Sequence, residues 1–145
     1  MTNSRPIHPD FQYFLNFKDT PLVELFMDLR NYLIEIYPKS NELLYHTHAL
    51  TAVFSISEKL QDAFCHIPIY SDHLNLGFNK GVLLSDPRKL LKGTGKFIRH
   101  INIKKSNDFR NQAVQELLIE AYNLAKQDMD KPTKVMGQMI SKIKN

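Results

Sequence analysis

Ala63-Phe64-Cys65-His66-Ile67-Pro68-Ile69, then Tyr70-Ser71-Asp72, then His73-Leu74-Asn75-Leu76-Gly77-Phe78-Asn79 is the stretch that decides the fold. In the last run Leu74, Leu76 and Phe78 alternate with His73, Asn75, Gly77 and Asn79. That period of two belongs to a strand with one buried face. The first run is apolar and partly β-branched, and Pro68 marks its end or an edge. Three polar residues join the two runs. A parallel crossover needs a dozen residues or more, so the pair is an antiparallel hairpin.

Working outward, residues 43–48 and 50–56 read as two further strands and residues 97–104 as a fifth. A helix is expected over 21–37, where Leu22, Leu25, Phe26, Leu29, Leu33 and Ile36 form one stripe. Asp19 or Thr20 caps it, Pro21 fits its first turn and Pro38 stops it. Asp86-Pro87 opens a single helical turn over 86–91. A second long helix is expected over 108–127, capped by Ser106 or Asn107, and a short one over 133–144 carrying Val135, Met136, Met139, Ile140 and Ile143. Strands clustered between helices give an α+β fold: about five mainly antiparallel strands, with N-terminal and C-terminal helices on one face. The opposite face, carrying His73, Asn75 and Gly77, is partly open. The expected organisation is an N-terminal arm (1–18), one domain (19–128) and a C-terminal helical extension (129–145).

With 145 residues, 43% hydrophobic and 23% charged, the chain suits one globular domain. The single cysteine, Cys65, excludes an intramolecular disulfide and a four-cysteine zinc site. No apolar run approaches the roughly 20 residues of a membrane span, and no apolar signal core follows Met1. These features lead us to expect a soluble, cytoplasmic protein with no membrane partner. Charge is uneven. Residues 86–105 hold Arg88, Lys89, Lys92, Lys96, Arg99, Lys104 and Lys105 against Asp86 alone, a local +6, whereas the rest of the chain nets −2. Such a concentration attracts anions, although surface lysines also serve solubility alone.

Two segments resemble the bacterial YdhG-like family, whose function is unknown. One runs from Phe64 to Gly81 and closes on Gly77-Phe78-Asn79-Lys80-Gly81. The other is Leu90-Leu91-Lys92-Gly93-Thr94-Gly95-Lys96-Phe97-Ile98-Arg99-His100. The resemblance covers roughly residues 22–125. It implies an α+β fold, and because some members are described as frataxin-like iron chaperones, it implies iron handling as an alternative function.

The candidate ligand-binding residues are Lys92, Gly93, Thr94, Gly95, Lys96, Arg99 and His100. Two glycines let a loop turn its N–H groups toward an anion, while Thr94 and the cations add donors and charge. The segment is no Walker loop, because Leu90 stands where the first glycine belongs and Phe97 follows Lys96. It also reads as a plain turn feeding a strand. His46 and His48, two apart on an expected strand, form an alternative metal pair. Residues 86–105 are the reverse of the acidic ridge on which frataxin-like iron binding relies. Cys65 and His66 point to opposite faces and form no nucleophile–base dyad. No nucleophile elbow, zinc-protease motif or paired-carboxylate pattern appears. The reading that follows is a non-catalytic binding domain for a phosphate-bearing anion or a nucleic-acid backbone, with no cofactor. A metal chaperone and a homo-oligomeric interaction module are the alternatives, and an active site built from distant residues stays open.

Overall fold

The computed structural model describes residues 5–144. The chain forms an α+β fold with a six-stranded sheet in the order β5-β4-β3-β2-β1-β6. Strands β1 (Asn41–His46), β2 (Leu50–Ser55), β3 (Ala63–Ile69), β4 (Leu74–Phe78) and β5 (Arg99–Ile103) form an antiparallel meander, and β6 (Met139–Ser141) adds to β1 in parallel. The hairpin that decides the fold stands where its sequence puts it. Tyr70 N–H donates to the His73 carbonyl (2.8 Å), closing the turn between β3 and β4.

Helices α1 (Pro9–Leu15), α2 (Thr20–Ile36) and α3 (Gln112–Asp128) bury their apolar stripes on one sheet face. Phe11, Leu15, Phe26, Leu29, Leu33, Leu117 and Leu118 join Leu44, Phe54, Cys65, Ile67, Leu76 and Phe78 in one cluster. A bulge in β3 sets Ser55 opposite Ala63 and Phe54 opposite Cys65. Ala63 therefore packs on the far face with Leu43 and Val53, and not beside Cys65. The extra residue, Phe64, meets the rings of Tyr37 and Tyr122.

Three expectations are corrected. Residues 129–144 contain no helix: Met139–Ser141 is the sixth strand, so the expected helical extension is a sheet edge. Gly137 sits at φ 65°, a left-handed conformation that glycine adopts at no steric cost. Asn41 then captures the tail, its Nδ2 donating to the Val135 carbonyl (2.9 Å) and its Oδ1 accepting from Gln138 N–H (3.0 Å). The prolines of the arm, Pro6 and Pro9, predict little regular structure there, yet residues Pro9–Leu15 form α1. His8 Nδ1 accepts from Asp10 N–H (3.0 Å), which caps α1, and Phe11 and Leu15 enter the core. The cap of α3 is Asn111, whose side chain accepts from Val114 N–H (2.9 Å); Ser106–Asp108 is a separate 3-10 turn.

One buried charge cluster anchors β1. The Glu42 carboxylate, fully buried, receives Arg30 twice (Nε 2.8 Å, Nη2 2.9 Å) and Arg5 once (3.0 Å). Arg5 also donates to the Ser40 carbonyl (2.9 Å), so the arm, α2 and β1 share one network.

Candidate functional site

Asp86 organises the segment that leads into β5. Its carboxylate accepts from Leu90 N–H (2.9 Å) and Leu91 N–H (3.0 Å), while Asp86 and Lys89 take φ of 42° and 54°. This turn sends Leu90 and Leu91 against the core. Lys92 then pairs with His100 through two backbone hydrogen bonds (2.8 and 2.9 Å), extending the sheet past β5 by one bridge. Gly93, at φ 126°, turns the chain into the exposed loop of Thr94, Gly95 and Lys96.

The loop closes around Arg99. Its Nη1 donates to the Gly95 carbonyl (2.6 Å) and the Ile98 carbonyl (2.8 Å). The backbone groups converging here are acceptors, opposite in polarity to an anion nest, and Arg99 is spent on positioning its own loop. Neighbouring strand residues start toward opposite sides, yet at this edge Arg99 Cδ and His100 Nδ1 each come to 3.6 Å from the point a Cβ on Gly93 would occupy, so both side chains close on that glycine. Arg99 lies on the helix-bearing side with its register partner Phe78, and His100 on the open side with Gly77.

On that open side a row runs Lys92, His100, Gly77, His66 across neighbouring backbone segments. The His66 ring lies over Gly77, where any Cβ would collide with it. Its Nδ1 donates to Asn79 Oδ1 (2.9 Å). Burial holds His66 below the ordinary histidine range; the Asn79 bond opposes this shift, and nearby His100 adds to it. His100 is also held low, by burial first and then by Lys92 and His73. Two residues along each strand, on the same face, Asn75 pairs with Asn102. Asn75 is buried, and its Oδ1 has no hydrogen-bond partner.

The cations divide into two groups. Lys80 pairs with Asp128 (2.8 Å) and Arg110 with Asp28 (2.6 Å). Among the described residues, Arg88, Lys89, Lys92, Lys96 and Lys104 have no carboxylate partner. A cleft of about 200 Å³ lies beside the Asp86 turn, between Arg88, Leu90 and the α3 residues Ala113, Glu116, Leu117 and Glu120. Glu120 is claimed there by Ser85, through backbone N–H and hydroxyl.

The alternative metal pair, His46 and His48, does not share a strand. Strand β1 ends at His46, His48 falls in the turn beyond it, and the His46 ring stacks on Phe14 (3.9 Å between centroids). Among the described residues no group of three or more His, Cys, Asp or Glu is placed to hold a metal ion. Cys65 is fully buried, and burial pushes its thiol well above the ordinary value, leaving no thiolate at neutral pH.

Sequence reasoning placed His100 in the site and set His66 on a neighbouring strand; what it missed is Gly77 between them. The signal lies in the alternation of β3, β4 and β5, once their register is known. Among the described residues no helix is long and apolar enough to cross a membrane. The fold and the site together define an α+β sheet protein with a cationic edge. A scan against protein-family models finds no match for the chain, and searches of curated proteins and of solved structures find none either.

Proposed function

We propose that this chain is a non-catalytic binding module for a phosphate-bearing anion, a nucleic-acid backbone being one form of it. The observation that supports this reading is uncompensated charge: Lys92 and Lys96 flank a glycine turn on the sheet edge without a carboxylate partner. His100 stands beside Lys92 on the open face and offers an imidazole N–H. Gly93, Thr94 and Gly95 shape the loop, and Arg99 braces it. The YdhG-like kinship belongs to the same proposal, with the cytoplasm as its location.

The test is fluorescence anisotropy with a labelled single-stranded oligonucleotide and, as competitor, inorganic phosphate. Binding should weaken steeply with salt, because cations that neutralise phosphates release counterions. Lys92→Ala combined with Lys96→Ala should weaken binding about tenfold or more and flatten the salt slope by about 0.7 per lost contact. Unchanged affinity and slope in that variant would remove the reading.

A further inference from the structure

Large apolar side chains that stay exposed mean most where they gather. Val82, Leu83, Phe97 and Ile98 are each 44–57% exposed. They sit on two short segments, the 3-10 turn Gly81–Leu83 and the approach to β5. Val82 N–H donates to the Phe97 carbonyl (3.0 Å), which fixes the two segments side by side. The result is one apolar tip at the end of the sheet where β4 leaves and β5 begins.

The chain around this tip is cationic. Lys96 precedes Phe97, with Nζ 5.4 Å from the ring centroid. Lys92 lies in the same loop, and neither has a carboxylate partner among the described residues; Arg88, in the turn before, instead lines the cleft that holds Glu116 and Glu120. A second copy of the chain would bring two such rims together cation against cation. Four apolar side chains also fall short of the roughly 800 Å² that each partner buries in a stable protein complex. An anionic bilayer surface satisfies both halves at once. Its headgroup–acyl boundary accepts the apolar side chains, and its negative surface potential attracts the cations.

We propose that Val82, Leu83, Phe97 and Ile98, flanked by Lys96 and Lys92 of the adjoining loop, form a docking tip for an anionic phospholipid surface. The proposal rests on the reading of Lys92 and Lys96 as anion-binding groups and names the source of the phosphate. It needs no spanning segment, so it concerns a different membrane contact from the one that run lengths exclude.

The experiment is co-sedimentation of the full chain with vesicles of phosphatidylcholine alone and of phosphatidylcholine with about 30 mol% phosphatidylserine. Oligonucleotide binding and light scattering are measured in parallel. The chain should sediment with the anionic vesicles and not with the neutral ones. Leu83→Ser combined with Phe97→Ser should lower that partition about tenfold or more, because the buried apolar contacts go. The same variant should keep oligonucleotide affinity within about twofold, since its charges are intact. Both positions are exposed, so the variant should unfold at the parent temperature. Lys92→Ala combined with Lys96→Ala should weaken both ligands.

Absence of sedimentation with anionic vesicles overturns the tip, as does vesicle binding that survives the double serine change. If oligonucleotide binding persists in either case, the anion-binding reading stands and only the lipid assignment falls; if both ligands fail, both fall. An equal loss of oligonucleotide and vesicle binding in the serine variant would mark Phe97 as a base-stacking ring and overturn the lipid tip. A dimer that the serine variant converts to monomer would assign the patch to a second copy and overturn it too.

Discussion

The β1–β6 side and the β5 edge of the sheet both hold arginine and treat it in opposite ways. At β1, Arg30 and Arg5 are buried on the Glu42 carboxylate, and the donors around it converge on one acceptor. At β5, Arg99 is part-buried and bonds to carbonyls of its own loop, while Lys92 and Lys96 beside it have no carboxylate partner among the described residues. The first arrangement is closed: every strong group has its partner inside the molecule, and its removal should read out as stability. The second is open, and its removal should read out as affinity. A cation's surroundings, and not its type, decide which quantity it controls.

The largest expected effect tests the closed side. Glu42→Ala leaves Arg30 buried with no counter-charge and should cost about 3–5 kcal/mol in denaturant unfolding. Lys92→Ala with Lys96→Ala should stay within about 0.5 kcal/mol of the parent in the same measurement. If the two variants lose similar stability, the contrast between the two sides is broken.

A smaller effect is expected at Gly77, between the two sides. A methyl group there meets the His66 ring, so Gly77→Ala must displace the ring and break its bond to Asn79. The cost should be about 1–3 kcal/mol, the usual range for overpacking. An accompanying shift in the His66 imidazole resonances would confirm that the ring moved; an unshifted ring at full stability would contradict the packing.

The smallest effect sharpens the comparison through pH. Folding lowers the pKa of both His66 and His100 from the ordinary 6.5. Their contribution to stability is therefore complete above about pH 6.5 and is lost as pH falls from there through their folded values, because the unfolded chain takes up protons first. His66→Gln should flatten that decline. Over the same window His100 gains charge beside Lys92, so anion binding should tighten as stability falls. Parallel pH profiles for stability and affinity would count against a role for His100 at the edge.

The parts of the fold legible in the sequence are those set by local periodicity. The β3–β4 hairpin is written in the alternation of residues 73–79, and α2 in its three- and four-residue steps. The sixth strand was hidden because Met136, Met139, Ile140 and Ile143 satisfy a helical spacing. What overrides that spacing is distant: the Asn41 carboxamide, and Glu42 N–H donating to the Gln138 carbonyl (2.8 Å). Pro132 and Gly137 were the local hints that a helix would not hold. At the candidate site the glycine punctuation of residues 92–96 was readable, and so was the cationic excess. The direction of the loop's carbonyls was not, because it depends on where Arg99 folds back. The pairing of Arg30 with Glu42 crosses from a helix to a strand, which no run of neighbouring residues records.

The chain's two tails meet on one side of the sheet. Ser141 Oγ donates to Asp10 Oδ2 (2.6 Å), and His8 N–H reaches Met139 Sδ (3.0 Å), so α1 and β6 are neighbours. Six strands laid side by side set β6 about 24 Å from β5. A dye or affinity tag placed near either tail would thus report from the far rim without crowding the ligand.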